Sequence, residues 1–219
     1  MTVAAIILVP DQSLALSDIE GDPAIRRLVQ SAWAGGALPI LAVAAAPSAE
    51  LTGALADLPA AVVNPDASQA PGGMWFVVGA QAAMTAVTET TAGLLWPIRY
   101  VWVDPETVTS LVEAHGATPD VIIRPALAGQ EGFPILVPIG LLARIAAKKG
   151  LHGLEAVAEL VAEGVPQLLV ELGDPGIIHD LTTPRAELPG YQGPTGPAGG
   201  PPPEWNEALA AHVEGEHER

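Results

Sequence analysis

The sequence predicts an α/β protein with a mostly parallel central sheet and helices on both of its faces. Three observations carry that prediction. The chain opens on Val3–Val9, apolar at every position, as a strand buried on both faces must be. Further short apolar runs alternate with helical patterns along the chain. Asp22-Pro23 and Asp104-Pro105 each set an N-cap residue ahead of proline, a helix-opening signal.

Taken in order, Val3–Val9 is the first expected strand, and the helix opened by Asp22-Pro23 runs to Gly35-Gly36, a credible stop. Strands follow at Pro39–Ala44, Ala60–Val63, Ile98–Val103, Val121–Ile123, Pro134–Val137 and Gln167–Leu172. Helices are expected at Ser48–Ala56, Ala80–Thr91, Asp104–Gly116, Ile139–Lys149 and Leu154–Ala162. Trp33, Trp75, Trp96 and Trp102 are mostly core candidates, with Trp75 partly exposed after the loop Gly72-Gly73-Met74. Arg144, Lys148 and Lys149 form a basic cluster late in a helix, where cations suit the macrodipole.

The composition changes at Pro189. Residues 1–188 read as one domain, 189–203 as a Gly/Pro-rich linker of polyproline type, and 204–219 as an acidic tail with a short helix carrying Trp205 and Leu209. His212 and His217 in that tail are spaced by five, which misaligns them on a helix as metal ligands.

The 219 residues are 49% apolar and 16% charged, enough for a sizeable core. Nine Lys and Arg stand against 25 Asp and Glu, a formal net charge of −16. That surface disfavours nucleic acid and anionic membranes, whose phosphates need clustered cations. With no cysteine there is no disulfide, thiolate metal site or cysteine nucleophile. The first apolar run is too short to span a bilayer, and the expected location is cytoplasmic. No P-loop, no dinucleotide fingerprint and no Gly-x-Ser-x-Gly occurs.

Ligands of open α/β sheets bind beyond the carboxyl ends of the strands, which directs attention to Pro10–Gly21. Pro10, Asp11 and Ser13 either line such a pocket or form an ordinary βα connection in which Asp and Ser bond their own backbone. A phosphate cradle would want glycines and a cation there. Proline lacks an N–H to donate, and an aspartate repels phosphate.

Several ordered marks extend this pattern. They are Ala4-Ala5-Ile6-Ile7-Leu8, Gly21-Asp22-Pro23, Asn64-Pro65-Asp66, Val103-Asp-Pro-Glu-Thr-Val108, Arg124-Pro125, Gly129, Gly132-Phe133-Pro134, Gly173-Asp174 and Asp180-Leu-Thr-Thr-Pro184. On these the chain, over about residues 1–188, resembles the MobA-like NTP transferases, specifically the branch that attaches a cytidylyl group to molybdenum cofactor. The resemblance implies a Rossmann-like three-layer nucleotidyltransferase fold. It implies a glycine-rich loop holding a triphosphate and carboxylates holding Mg²⁺.

At the positions that carry this chemistry the residues differ. The loop glycine corresponds to Asp11 and the loop arginine to Ala15. The metal aspartate corresponds to about Arg99, and the histidine of Gly-His-Pro to Phe133. The second aspartate of Asp-Ile-Asp-Thr-Pro corresponds to Thr182, while Asp180 is retained. The family's Gly-Asp-x-Gly reads Gly150-Leu151-His152-Gly153. A fixed cation at Arg99 would repel Mg²⁺.

The candidate nucleotide-binding set is Pro10, Asp11, Ser13, Arg99 and Arg124, with Asp180 as the candidate metal ligand. Arg124 alternatively pairs with a carboxylate, and Asp174 and Asp180 alternatively form turns. The expected function is a MobA-like domain with degenerate catalytic loop and metal site. It would be a non-catalytic partner or accessory protein that contacts another protein, or a weak binder of nucleotide or molybdopterin. The alternatives are an active, divergent, Mg²⁺-dependent transferase moving a nucleotidyl group from CTP or GTP to a molybdopterin-type or other phosphorylated acceptor, and a purely structural acidic subunit.

Overall fold

The computed structural model describes residues 2–65, 73–148, 151 and 153–193. The expectations for Asp66, for Lys149, Gly150 and His152, and for the linker beyond Gly193 and the tail lie outside the described residues.

In chain order the elements are β1 (Thr2–Leu8), α1 (Gln12–Ala15), β2 (Asp18–Ile19), β3 (Asp22–Pro23), α2 (Ala24–Ala34), β4 (Ile40–Val43), α3 (Ala49–Ala54) and β5 (Ala60–Val63). Then come α4 (Gly73–Ala86), β6 (Thr90–Pro97), α5 (Pro105–Ala117), β7 (Ile122–Leu127), β8 (Gln130–Glu131), β9 (Ile135–Pro138), α6 (Leu142–Ala147), α7 (Gly153–Ala162) and β10 (Gln167–Glu171). Single helical turns lie at Ile139–Leu141, Pro175–Ile177 and Arg185–Glu187.

The main sheet has the order β10-β7-β9-β6-β1-β4-β5. All neighbours run parallel except β9, which is antiparallel to β6 and β7, and the short β8 at the end of β7. β1 shows why the fold has three layers. Its alternate residues Val3, Ala5, Ile7 and Val9 enter one core with residues of α2, α3 and α5. Ala4, Ile6 and Leu8 enter the other, with α4, α6 and α7. The second packing is close: a Cβ on Gly79 of α4 would lie 2.5 Å from Ile6 Cγ2.

Three expectations need correction. The strand beside β1 is Thr90–Pro97, and Ile98–Val103 is the loop that leaves it. Gly93 and Pro97 obscure this strand in the sequence. Gly93 is tolerated because a side chain there would meet Ile6 Cδ1 at 2.7 Å. The helix expected at Ala80–Thr91 is α4, displaced toward the N-terminus, so Trp75 is a buried helical residue. Asp22 does not cap α2. It pairs with Ile19 in the β2–β3 hairpin, Pro23 occupies the cap position, and Asp22 faces Arg26 at 3.6 Å. Asp104 does cap α5, accepting from Glu106 N with Pro105 next in line.

Trp96 is fully buried, whereas Trp33 is 57% exposed on α2. The basic cluster at the end of α6 answers carboxylates of α7 and the turn after it: Arg144 reaches Glu163 at 3.0 Å, and Lys148 pairs with Glu159 and Glu163. No helix among the described residues is long and apolar enough to cross a membrane.

His115, on the buried face of α5, contacts Thr91 Oγ1 through Nε2 at 3.0 Å, while its buried Nδ1 has no hydrogen-bond partner. Burial holds its pKa below the usual 6.5, although Asp120 pulls the other way. A depressed histidine pKa means the unfolded chain binds the proton more readily. This site's contribution is therefore complete above about pH 6.5 and is lost as pH falls below that value and through the lowered folded one. Melting temperature should drop on mild acidification, and His115→Leu should flatten the drop, read by thermal denaturation across the range.

Candidate functional site

The carboxyl ends of β1, β4 and β6 lie side by side, and their loops form the edge where the sequence places chemistry. Leu8 is in register with Val43 and Pro97, and Ile98 N donates to Leu8 O at 3.1 Å. The segments beginning at Pro10 and at Ile98 therefore leave adjacent strand ends.

Asp11 turns its carboxylate inward on its own loop. Its Oδ1 accepts from Ser13 N at 2.9 Å and from Ser13 Oγ at 2.7 Å, capping the single turn of α1. These bonds hold the carboxyl below its usual pKa, so a fixed negative charge occupies the loop. Pro10 has no donor, and Ser13 N is already used. Gln12, a residue that sequence reasoning missed, ties this loop to the one after β4. Its Nε2 donates to Ala45 O and Ala46 O at 3.0 and 3.1 Å, and its Oε1 accepts from Ser48 N at 2.8 Å. Asn64 Oδ1 accepts from Ala46 N at 3.1 Å, bringing in the loop after β5. The signal for Gln12 is only an amide at the strand end, too common to single out.

At the end of β6, Arg99 Nη2 donates to Asp180 Oδ2 at 2.6 Å, and Leu181 N donates to Arg99 O at 2.8 Å. Asp180 Oδ1 accepts from Thr182 N at 2.9 Å and from Thr182 Oγ1 at 2.5 Å. Partial burial alone would raise the Asp180 pKa. The Thr182 bonds and the Arg99 charge outweigh it and leave the carboxyl below its usual value. Tyr100 packs on Phe133 with ring centroids 4.4 Å apart. Burial, followed by the Asp180 charge, raises the Tyr100 pKa.

The structure thus joins Arg99 to Asp180, on the loop after β6, while Pro10, Asp11 and Ser13 follow the adjacent end of β1. Arg124 stands apart. It lies mid-strand in β7, opposite Leu169, and pairs with Glu131 of β8, which also accepts from Gln167 Nε2 at 3.1 Å. Asp174 is a buried turn former: Oδ1 accepts from Gly176 N at 2.7 Å, and Oδ2 accepts from Asp104 N at 2.9 Å and Thr107 Oγ1 at 2.7 Å.

The fit for a divalent cation is poor. A metal carboxylate needs a free oxygen directed at the ion. Asp180 has one oxygen on a guanidinium and the other on Thr182. Among the described residues no group of three or more His, Asp or Glu is placed to hold a metal ion.

A separate cavity of about 320 Å³ opens below the loop after β6, lined by Arg27 and Ser31 of α2, Trp102, Asp104, Asp174, Arg185 and Tyr191 among others. Pro189, Gly190 and Tyr191 line one side, with Tyr191 OH donating to Glu106 Oε2 at 2.9 Å and Gln192 N donating to Gly173 O at 3.0 Å.

A family model described as the MobA-like NTP transferase domain matches residues 12–167, from the loop after β1 to the start of β10. The chain belongs to the MobA-like NTP transferase domain family. No curated protein sequence matches it. Several solved structures resemble this MobA-like domain in fold. A manganese complex of Rv0371C from Mycobacterium tuberculosis H37Rv superposes with a TM-score of 0.60 at 17% identity, covering 78% of this chain and 89% of that one. The 2-C-methyl-D-erythritol 4-phosphate cytidylyltransferase of Thermus thermophilus gives 0.59 at 17% identity, over 84% and 94% of the two chains. A CMP:2-keto-3-deoxy-manno-octonic acid synthetase complexed with CTP gives 0.59 at 12% identity, over 99% and 100%.

Proposed function

We propose that this MobA-like domain is non-catalytic and serves as a partner or accessory protein, with the nucleotidyltransferase scaffold kept and its metal chemistry lost. The observation that supports this most is the Arg99–Asp180 pair. Where the resemblance puts carboxylates around Mg²⁺, Asp180 instead holds Arg99 and Thr182. Nucleotidyl transfer depends on neutralising a triphosphate, and the loop after β1 adds the charge of Asp11 instead of removing charge. Residues 1–188 act as the domain in this reading, and the acidic segment beyond the Gly/Pro-rich stretch is a tethered docking element for another protein.

The second reading, a divergent transferase acting from CTP or GTP on a molybdopterin-type acceptor, draws on the CTP complex and the manganese complex among the structural neighbours. It also draws on the adjacency of Asp11, Arg99 and Asp180 at one strand edge. Turnover separates the two. Purified protein incubated with CTP or GTP, Mg²⁺ or Mn²⁺ and a pterin cofactor should release no pyrophosphate above the protein-free rate. Release at ordinary enzyme rates, abolished by Asp180→Asn, would establish the second reading.

A further inference from the structure

The cavity below the loop after β6 has a cationic wall that the strand-edge site does not use. Arg27 and Arg185 both line it, and both reach the same carboxylate, Glu20 Oε2, at 3.1 and 3.2 Å. Two guanidinium groups thus share one counter-charge, in a chain whose formal charge is −16. Both also pack against one aromatic ring: Arg27 Cζ is 5.1 Å and Arg185 Cζ 6.0 Å from the centroid of Trp102. The Trp102 ring is fixed by its own Nε1, which donates to Thr183 O at 3.0 Å. Arg27 Nε is buried with no hydrogen-bond partner, a state that buried polar atoms rarely keep unless something supplies one.

The acidic residues opposite are committed elsewhere. Asp104 Oδ1 caps α5, and both oxygens of Asp174 accept from backbone N–H groups, one of them also from Thr107. What the cavity offers in excess is guanidinium donors, the groups that hold carboxylates and phosphates in paired geometry. Glu20 demonstrates the geometry, since one carboxylate oxygen already receives both arginines. A volume of about 320 Å³ sits at the lower end of the range for small-molecule pockets, roughly 300–1,000 Å³. That suits a metabolite-sized ligand.

We propose that this cavity binds a compact oxyanion, a carboxylate or phosphate carried by a metabolite-sized molecule, held by Arg27 and Arg185 with its body against Trp102. Glu20 sits outside the lining and accepts from both arginines, so it competes with the ligand for their donors. The site is distinct from the strand edge that carries Asp11 and Asp180, so it stands whether or not nucleotidyl transfer survives.

The test follows the indole N–H of Trp102 by NMR in the ¹⁵N-labelled full chain, assigned through Trp102→Phe. The probes are malate, glycerol 3-phosphate and inorganic phosphate, with chloride at matched ionic strength as control. A saturable shift with malate, with a phosphate, or with both supports the proposal and tells which oxyanion the site prefers. Arg185→Gln, at a half-exposed position, should weaken that binding by about tenfold or more, with the unliganded melting temperature unchanged. Glu20→Gln should tighten it severalfold. No saturable shift up to tens of millimolar would overturn the proposal, as would equal affinity in the wild type and both variants.

Discussion

Asp174→Ala is expected to cost about 3 kcal/mol and to lower the melting temperature by roughly 6–12 °C. The carboxylate is 2% exposed and accepts from Asp104 N, Thr107 Oγ1 and Gly176 N, so its removal strands donors on both sides of the contact between α5 and the 173–178 turn. The loss should also depend on pH. Burial, the largest influence, pushes the Asp174 carboxyl above its ordinary value of 3.8, and the three hydrogen bonds offset only part of that. A raised acid pKa means that the folded state binds the proton more readily. The favourable contribution is complete below the unfolded value and declines as pH rises through the folded one. Asp174→Ala should therefore destabilise more in acid, near the ordinary value of 3.8, than near neutrality, measured by chemical denaturation at both. An equal loss at both would show that the carboxyl is not strained by burial.

Gly176→Ala should cost a similar amount, about 3 kcal/mol, by a different route. An alanine Cβ there would lie 2.1 Å from Trp102 O and 2.3 Å from its carbonyl carbon. These are backbone atoms that no side-chain rotation can move aside. The loop of residues 98–104 would have to retreat, taking Trp102 from Thr183 O and Arg99 from Asp180. Denaturant titration should show a lower midpoint with an unchanged slope, the mark of lost stability without a change in the surface exposed. Wild-type stability in this variant would mean that the two segments are not in such close contact.

Much of the scaffold is legible in the sequence because burial on two faces leaves a direct mark. β1 is apolar at nearly every position, and its alternate residues enter two separate cores. β6 is harder to see. Gly93 and Pro97 are poor strand residues, and Gly93 stands there only because Ile6 leaves no space. The start of α4 is hidden for a related reason: its first turn begins at Gly73, and glycine next to Gly72 reads as a loop.

At the candidate site, single residues are legible and their partners are not. Arg99 stands out as a cation where the resemblance expects an acid. Its hydrogen bond to Asp180, 81 positions away, follows from sheet order and loop length, neither of which local pattern encodes. Arg27 and Arg185 are more remote still, brought together by Glu20 and by the Trp102 ring.

On the proposed reading, Arg99 and Asp11 have replaced metal-assisted nucleotide binding at the strand edge. Thermal stabilisation by CTP, GTP, ATP and UTP, each at millimolar concentration with and without Mg²⁺, tests it most directly. A ligand at about 100 times its dissociation constant would add about 2.7 kcal/mol, a readily measured shift. No Mg²⁺-dependent shift is expected with any of the four. A shift that requires Mg²⁺ and disappears in Asp180→Asn would contradict it.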